Sequence, residues 1–448
     1  MKKKQSIQSE RSTRTFKTRI YLDDFSKQYC ERAFGVRRWV WNWGLRYMLR
    51  TKVVTGKLPN NYSIDPIYRK AVKAKQDAGF EWIAEQVVSG KVMCECLKDL
   101  AASFEVCKAY QSDVDWHHEC REHKSKDYRG KRGWHKVQPH FKKRKTCDKQ
   151  SFRYAAGDGK NVRIEGDHLL TFCTCTKGQR AHGYTRESLA FLRHPSVKLC
   201  TMTILKEAGK YWVIITYEKP NHIVKRPQAG TKVGIDLGVK ISACCYDGTN
   251  FFNGVFNTEN SLRVEKLAQD LNESLSRKTH GSSRYLKQLR LQQERYARAT
   301  RMRKAEVERF VTHLCENYET IILDDFSFEG AKNVCDKKEL YRCMVCEIKT
   351  RLYEKAPLYG CKVYVVDHHK GEKNTKRCSQ CGSTNVHVFR DRTMCCGDCH
   401  QMSRMDRDKN AAINTFYATN YSELDMRSEV QKRKDAKKAK KLQNKESI

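Results

Sequence analysis

Two cysteine pairs place the tightest constraint on how this chain can fold. Cys378-Ser-Gln-Cys381 and Cys396-Gly-Asp-Cys399 are C-x2-C knuckles, with 14 residues between Cys381 and Cys396. Four thiolates at this spacing can close one tetrahedral zinc site, so the chain must double back as a ribbon over residues 378–399. Cys395 is the alternative third ligand; Cys396 is preferred because it restores C-x2-C with Cys399. The N-terminus MKKKQSIQSERSTR puts no apolar run behind its basic residues, so no secretion signal is expected. The 21 cysteines are then expected to be reduced. Cys343 and Cys346 lie in a helical apolar pattern, and Cys173, Cys175, Cys244 and Cys245 lie in strand-like runs; all read as packing. His117, His118, Cys120 and His123 crowd a polar segment without a second knuckle and read as solvated.

Around the ribbon, the pattern alternates between strands and helices. In RTFKTRIYL, Phe16, Thr18, Ile20 and Leu22 share one face of a half-buried strand. A helix follows from about Ser26 and carries Trp39, Trp41 and Trp43, which read as core packing. In 80–110, Met93, Leu97, Leu100, Phe104 and Cys107 repeat at 4-3-4-3, a helical packing seam. Residues 120–150 are polar and basic. The runs NVRIEG, LLTFCTC, VKLCTMTIL and YWVIITYE are β-rich, so strands precede and follow a helical insertion. From 231 the chain reads strand, turn, strand, with another strand after Gly248. Long helices come next, one with Val264, Leu267, Leu271 and Leu275 on one face, and one over about Arg284–Cys315. Two apolar strands, ETIILDDF and CKVYVVD, flank a helix marked by Leu340, Met344, Ile348 and Leu352. Such alternation predicts an α/β sheet.

Carboxylates interrupt this second region at three places. Asp236 lies inside the apolar strand VGIDLG, Asp324 and Asp325 end IILDD, and Asp406 and Asp408 open the helix-like NAAIN segment. A charge in an apolar strand is costly unless it is paired or bound to metal. Carboxylates converging at one sheet edge suit Mg²⁺ or Mn²⁺, and two such ions support phosphodiester hydrolysis. The charge balance agrees. Eighty-eight Lys+Arg against 52 Asp+Glu give a net +36, which points to nucleic acid. No stretch approaches the ~18 apolar residues of a membrane helix, so no membrane partner is expected.

VGIDLGV, IILDDF and DRDKNAAIN, with a C-x2-C…C-x2-C ribbon between the second and third, resemble the motifs of a RuvC-type, RNase-H-like nuclease in the order shown by the transposon-encoded TnpB family. Fanzor proteins and compact type V CRISPR effectors show the same order. RTFKTRIYL…FGVRRWVWNWGL and HFKKRK…SFRY resemble the TnpB opening and the point where its β-domain resumes. The resemblance implies a multi-domain α/β fold: a split β-barrel-like wedge domain (1–24 and 131–228) with a helical recognition insertion (25–130). A RuvC-like domain (229–370), a zinc ribbon (371–404), the last RuvC motif (405–420) and a basic disordered tail (421–448) complete it. It implies an RNA-guided DNA endonuclease that uses a guide RNA to pair with double-stranded target DNA beside a short motif, as a monomer or a dimer. Asp236, Asp324 and Asp408 would be the catalytic Mg²⁺ ligands, with Asp406 supporting them, and Cys378, Cys381, Cys396 and Cys399 would hold Zn²⁺.

The basic runs offer candidate nucleic-acid contacts at Lys142, Lys143, Arg144, Lys145, Arg298, Arg301, Arg303 and Lys304. One position departs from the family pattern. Asp324 stands where the second motif normally has Glu, which retracts the carboxylate by ~1.5 Å at a site sensitive to errors near ~1 Å. Asp325 or Glu329 could substitute. A catalytically weak or silent guided DNA-binding protein is the alternative reading, and a DDE-type transposase a further one. The expected location is the bacterial cytoplasm, or the nucleus of a eukaryotic host, where KRKDAKKAKK would serve as an import signal.

Overall fold

The computed structural model describes residues 11–75, 78–85, 88–122, 139–142, 149–156, 161–174, 180–220, 226–326, 336–366, 376–399 and 404–426. It divides into two compact units, one extending to Pro220 and one spanning Asn221–Met426. Among the described residues no helix is long and apolar enough to cross a membrane.

In the first unit, strand β1 (Arg11–Leu22) leads into helix α1 (Asp24–Thr55). The Asp23 carboxylate caps α1 by accepting the Ser26 N–H at 2.8 Å, and Gly56 ends it in the left-handed region at φ 69°. Helices α2 (Asn61–Ala74), α3 (Ala78–Glu85) and α4 (Gly90–Glu122) follow. The chain then returns as strands β2 (Gln150–Ala155), β3 (Val162–Glu165), β4 (Leu169–Thr174), β5 (Arg180–Thr185), β6 (Lys198–Glu207) and β7 (Lys210–Pro220). The seven strands are ordered β2-β6-β7-β1-β5-β4-β3. The strand before the helices is therefore central: Arg11–Arg19 pairs with β7 and Ile20–Leu22 with β5, all antiparallel. One β-domain is thus interrupted by a helical insertion, as the pattern predicts. Strand β5 has no apolar run to announce it. It packs by being small: a Cβ at Gly183 would lie 2.6 Å from the Ile20 side chain.

The helices and sheet share one core that includes Tyr29, Val40, Leu97, Leu100, Phe152 and Ile215. Trp41 is buried within it, and Trp39 and Trp43 are half-buried against it. Trp41 Nε1 donates to the His140 carbonyl at 3.0 Å, which gives its indole a partner.

The second unit is built on a six-stranded sheet. Strands β8 (Lys232–Leu237), β9 (Ala243–Tyr246) and β10 (Phe251–Gly254) form a meander. Helices α5 (Glu259–Gln269), α6 (Leu271–Ser276) and α7 (Ser283–Asn317) lead to strand β11 (Thr320–Leu323). Helices α8 (Lys337–Arg342) and α9 (Val345–Tyr359) precede strand β12 (Lys362–Val366). A small antiparallel sheet of β13 (Val386–Val388), β14 (Thr393–Cys396) and β15 (Met405–Asp406) hands on to helix α10 (Arg407–Tyr417) and strand β16 (Tyr421–Glu423). Strands β8, β11 and β12 are parallel neighbours, and β9 and β16 run antiparallel beside them.

Both faces of this sheet are covered, which is why its strands read as continuous apolar runs. Val233, Ile235, Ile321 and Leu323 face a core with Val307, Val311, Leu314, Ile348 and Leu352 from α7 and α9. Gly234 and Ile322 point to the opposite face, where α10 packs: a Cβ at Gly234 would lie 2.4 Å from the Phe416 backbone nitrogen, and Ile322 clusters with Ala418.

Three expectations are corrected. The single helix through Leu340–Leu352 is two, because Met344 takes the left-handed conformation at φ 57°. Leu267 is 44% exposed and off the apolar face assigned to it. The segment 421–448 is not wholly a tail, since Tyr421–Glu423 pairs with β12 and Leu424 is buried in the core; residues 427–448 lie outside the described residues.

Candidate active site and cysteine cluster

The register of two parallel strands builds the carboxylate site. Leu323 pairs with Ile235, and the Asp324 N–H continues the ladder by donating to the Ile235 carbonyl at 2.8 Å. Asp324 is therefore the neighbour of Asp236 at the carboxyl ends of β11 and β8, about one strand spacing (~4.8 Å) away. Period-2 alternation puts Asp236 on the face of Gly234 and Asp324 on the face of Ile322. Both look toward α10.

Helix α10 supplies the third carboxylate. The Asp406 side chain caps it, accepting the N–H groups of Asp408 at 2.8 Å and Lys409 at 3.1 Å. Asp406 thus acts as an N-cap, while Asp408, in the first turn, is buried toward the sheet. Asp236, Asp324 and Asp408 are 5%, 6% and 4% exposed, a degree of burial at which a lone carboxylate is costly. Burial, reinforced by the charges of Asp324 and Asp408, holds the Asp236 carboxyl well above the usual carboxylate range, with Arg407 and Arg392 acting in the opposite sense. Cys244 on β9 pairs with Asp236 on β8, and burial followed by the nearby Asp236, Asp408 and Asp406 charges pushes its thiol up to about 12. Asp325 is exposed, with Lys349 at 3.8 Å; Glu329 lies outside the described residues.

Sequence reasoning missed Arg392. Its Nη2 donates to both carboxylate oxygens of Asp408, at 2.5 and 2.7 Å, from the β13–β14 turn, where it adopts φ 69°. No periodicity marks this residue; the small sheet's pairing onto the helix start brings it in. Asn410, fully buried, has a similar hidden role. Its Oδ1 accepts the Ser379 N–H at 2.9 Å and its Nδ2 donates to the Arg377 carbonyl at 2.8 Å, and Asn414 reaches the same carbonyl. The two Asn residues of NAAIN therefore tie the first cysteine knuckle to α10, and the small Ala411 and Ala412 let the helix approach β8.

The four expected cysteines converge. The Sγ atoms of Cys378, Cys381, Cys396 and Cys399 all lie within 4.8 Å of one another, with Cys378–Cys399 at 3.8 Å and Cys381–Cys396 at 3.6 Å. A tetrahedron of Zn–S bonds of ~2.3 Å has S···S edges of about 3.8 Å, so the set can hold a thiolate-bound ion. Cys395 and Cys396 are consecutive on β14 and point to opposite faces; Cys396 joins the cluster. Backbone N–H groups of Cys399 and Asp398 bonded to Cys396 bring its thiol down to about 7.

The basic candidates separate. Lys142 sits over the Trp41 ring at 3.8 Å, and its backbone N–H donates to Asn42 Oδ1 at 2.8 Å. Lys143, Arg144 and Lys145 lie outside the described residues, as do the side chains of the 117–123 cluster. On α7, Arg298 and Arg301 are exposed, and Lys304 Nζ donates to Glu347 at 2.6 Å. Arg303 is a correction: it is 2% exposed, bonded to Glu265 and, through Nε, to Asn257 at 2.8 Å. Its charge is already matched inside the protein.

Three family models match the chain. "Probable transposase" (OrfB_IS605) covers residues 214–334, a helix-turn-helix domain (HTH_OrfB_IS605) covers 12–51, and the Cas12f1-like TNB domain covers 346–415. Asp236 and Asp324 fall in the first, Asp408 and the four cysteines in the third. Residues 12–51 here form β1 and most of α1. "Putative RNA-guided DNA endonuclease InsQ" of Escherichia coli (strain K12) is 27% identical over 264 residues, 55% of this chain and 60% of that protein. The match thus spans less than two thirds of that relative. Among solved structures, a Cas12f1–sgRNA–target DNA complex aligns with TM-score 0.45 and 13% identity, covering 90% of this chain and 98% of that one. A CRISPR-Cas12f ternary complex aligns with TM-score 0.34 and 15% identity, covering 88% and 81%. The chain therefore matches OrfB_IS605 transposase, helix-turn-helix and Cas12f1-like TNB models in that set of segments, a similarity that agrees with the TnpB-type motif order of its sequence.

Proposed function

We propose that this protein is an RNA-guided DNA endonuclease with a single RuvC-type site. The observation that carries this reading is the convergence of three buried carboxylates, Asp236, Asp324 and Asp408, on one face of a mixed sheet, at the ends of its parallel strands β8 and β11. Three buried carboxylates on one site are a hard-oxygen donor set suited to divalent cations. Asp236, Asp324 and Asp408 would hold Mg²⁺ or Mn²⁺. Bound there, a pair of ions would supply water activation and stabilisation of the leaving oxygen.

The chain's own residues do the positioning. Asp324, beside Asp236 in the β8–β11 register, would meet the ions with a side chain one methylene shorter than the family's glutamate. Arg392 balances Asp408 and brings a guanidinium to the same edge, where a phosphodiester would lie. The cysteine cluster would bind Zn²⁺ through Cys378, Cys381, Cys396 and Cys399. With four thiolate ligands it would have no open position, so its contribution is to shape the turn that carries Arg392.

The first unit, with a wedge-like sheet and helical insertion, would bind guide RNA, and base pairing would read double-stranded target DNA beside a short motif. The domain limits follow the sequence reading, with Tyr421–Glu423 added to the nuclease sheet. The test uses protein purified with its own guide RNA. Matching DNA is cut in Mg²⁺ by the wild type and not by Asp236→Ala; cleavage by that variant at the wild-type rate refutes the site. DNA retention without cutting by the wild type, across Mg²⁺ and Mn²⁺, favours the silent-binder reading instead.

A further inference from the structure

Between α5, α7 and α8 the second unit holds a cavity of about 490 Å³ whose lining includes none of the three carboxylates. This is within the ~300–1,000 Å³ range of small-ligand sites. Two tyrosines stand at it. Tyr296 is 36% exposed and Tyr341 is 67% exposed, and among the described residues neither ring contacts another aromatic ring. Both rings therefore offer an open aromatic face at the cavity on which a flat group can stack.

The rest of the lining is polar and fixed. Glu265, 6% exposed, is held by Arg303 and by Arg342 Nη2 at 2.7 Å, so the floor is a rigid, charge-matched network. Gln269 Nε2 donates to Glu265 at 3.4 Å, which leaves its Oε1 as an acceptor. Thr300 donates its hydroxyl to the Tyr296 carbonyl at 2.9 Å and keeps oxygen lone pairs to accept with. Lys338 Nζ has no hydrogen-bond or ion-pair partner among the described residues.

An aromatic pair with acceptors and one ammonium group suits a flat heterocycle with mixed donor and acceptor edges, followed by a phosphate. The excess positive charge of the chain favours that polyanion over an acidic or apolar peptide. We propose that this cavity binds one unpaired nucleobase of a single strand, stacked on Tyr296 or Tyr341 with Lys338 on the adjoining phosphate. The inference rests on the nucleic-acid function proposed above.

The test uses the full chain with short single-stranded oligonucleotides, one DNA carrying 5-iododeoxyuridine and one RNA carrying 5-iodouridine. Irradiation couples iodouracil to a stacked aromatic ring, and mass spectrometry locates the adduct. The expected adduct is at Tyr296 or Tyr341, and the oligonucleotide that gives it identifies the strand bound. Tyr341→Ala and Tyr296→Ala should each weaken binding of that oligonucleotide about 5- to 150-fold, the range for losing one base–aromatic stack. Tyr341→Phe should retain binding. Both rings are substantially exposed, so the melting temperature should hold. Adducts confined to other residues, with oligonucleotide bound and guided cleavage intact, overturn this inference and leave the nuclease reading standing. Failure to retain either oligonucleotide also overturns this inference, while the nuclease reading falls only if the wild type with its guide RNA neither binds nor cuts matching DNA.

Discussion

The packing of α10 on β8 sets the distance between Asp408 and the two strand carboxylates, and one methyl group tests it. Gly234→Ala places a Cβ 2.4 Å from the Phe416 nitrogen, 2.6 Å from its Cα and 2.7 Å from the Ala412 carbonyl oxygen. Ordinary contact begins near 3.4 Å, so the helix must retreat by about 1 Å. The neighbours are backbone, and no rotamer change relieves them. Overpacking of this kind costs about 1–3 kcal/mol, and for a unit of this size each kcal/mol lowers the melting temperature by roughly 2–4 °C. The same retreat carries Asp408 away from Asp236 and Asp324. A misplacement of ~1 Å can cost on the order of 10²-fold in rate, and disturbed support of a metal site costs roughly 10–100-fold in affinity. Mn²⁺ binding followed by electron paramagnetic resonance reads the second effect without a guide, and guided cleavage reads the first. Gly90→Ala is the control, because nothing lies within 4 Å of the added Cβ. A Gly234→Ala protein that melts, binds Mn²⁺ and cuts like the wild type would refute the account of the site.

Metal analysis should find one zinc ion per chain, retained in Cys395→Ser and lost in Cys378→Ser, with chelation lowering the melting temperature. Arg303→Ala should destabilise the protein by about 1–3 kcal/mol in denaturant titrations, since it removes one of the two guanidinium partners of buried Glu265 and leaves Arg342 as the other; Arg298→Ala, on the exposed face, should stay within ~0.5 kcal/mol. Burial alone would push the Glu265 carboxyl up, but the Arg342 and Arg303 hydrogen bonds and charges hold it below its ordinary value. A lowered folded pKa stabilises above the unfolded value of ~4.3 and is lost as pH falls through the folded one. The acid limb of the stability profile should therefore be shallower over that window in Glu265→Gln.

Much of the chain was legible because local periodicity and burial agree. Alternation in 14–22 reported the inward face of β1, and the apolar runs at 233–235 and 321–323 reported strands covered on both sides. The spacing of the two knuckles announced the four thiols that converge, with Cys395 as the alternative to Cys396, since C-x2-C is geometry written in sequence. Legibility failed where structure depends on a distant partner. Strand β5 exists because small residues fit under Ile20 and Leu22, and β16 because β12 offers an edge. The helix through 340–352 breaks at Met344 although its apolar repeat continues, because periodicity records which side is buried and not whether the backbone is continuous.

The amino-acid sequence by itself determined the chemical inventory: which carboxylates interrupt apolar strands, which thiols are spaced to share an ion, and a charge suited to a polyanion. Tertiary structure decided how that inventory is used. It made Asp406 a cap and turned Asp408 inward, brought Arg392 onto Asp408 from a separate small sheet, and spent Arg303 on Glu265 inside the protein. These outcomes depend on register and on which elements pack face to face, and those are set by long-range contacts that no local pattern of residues contains.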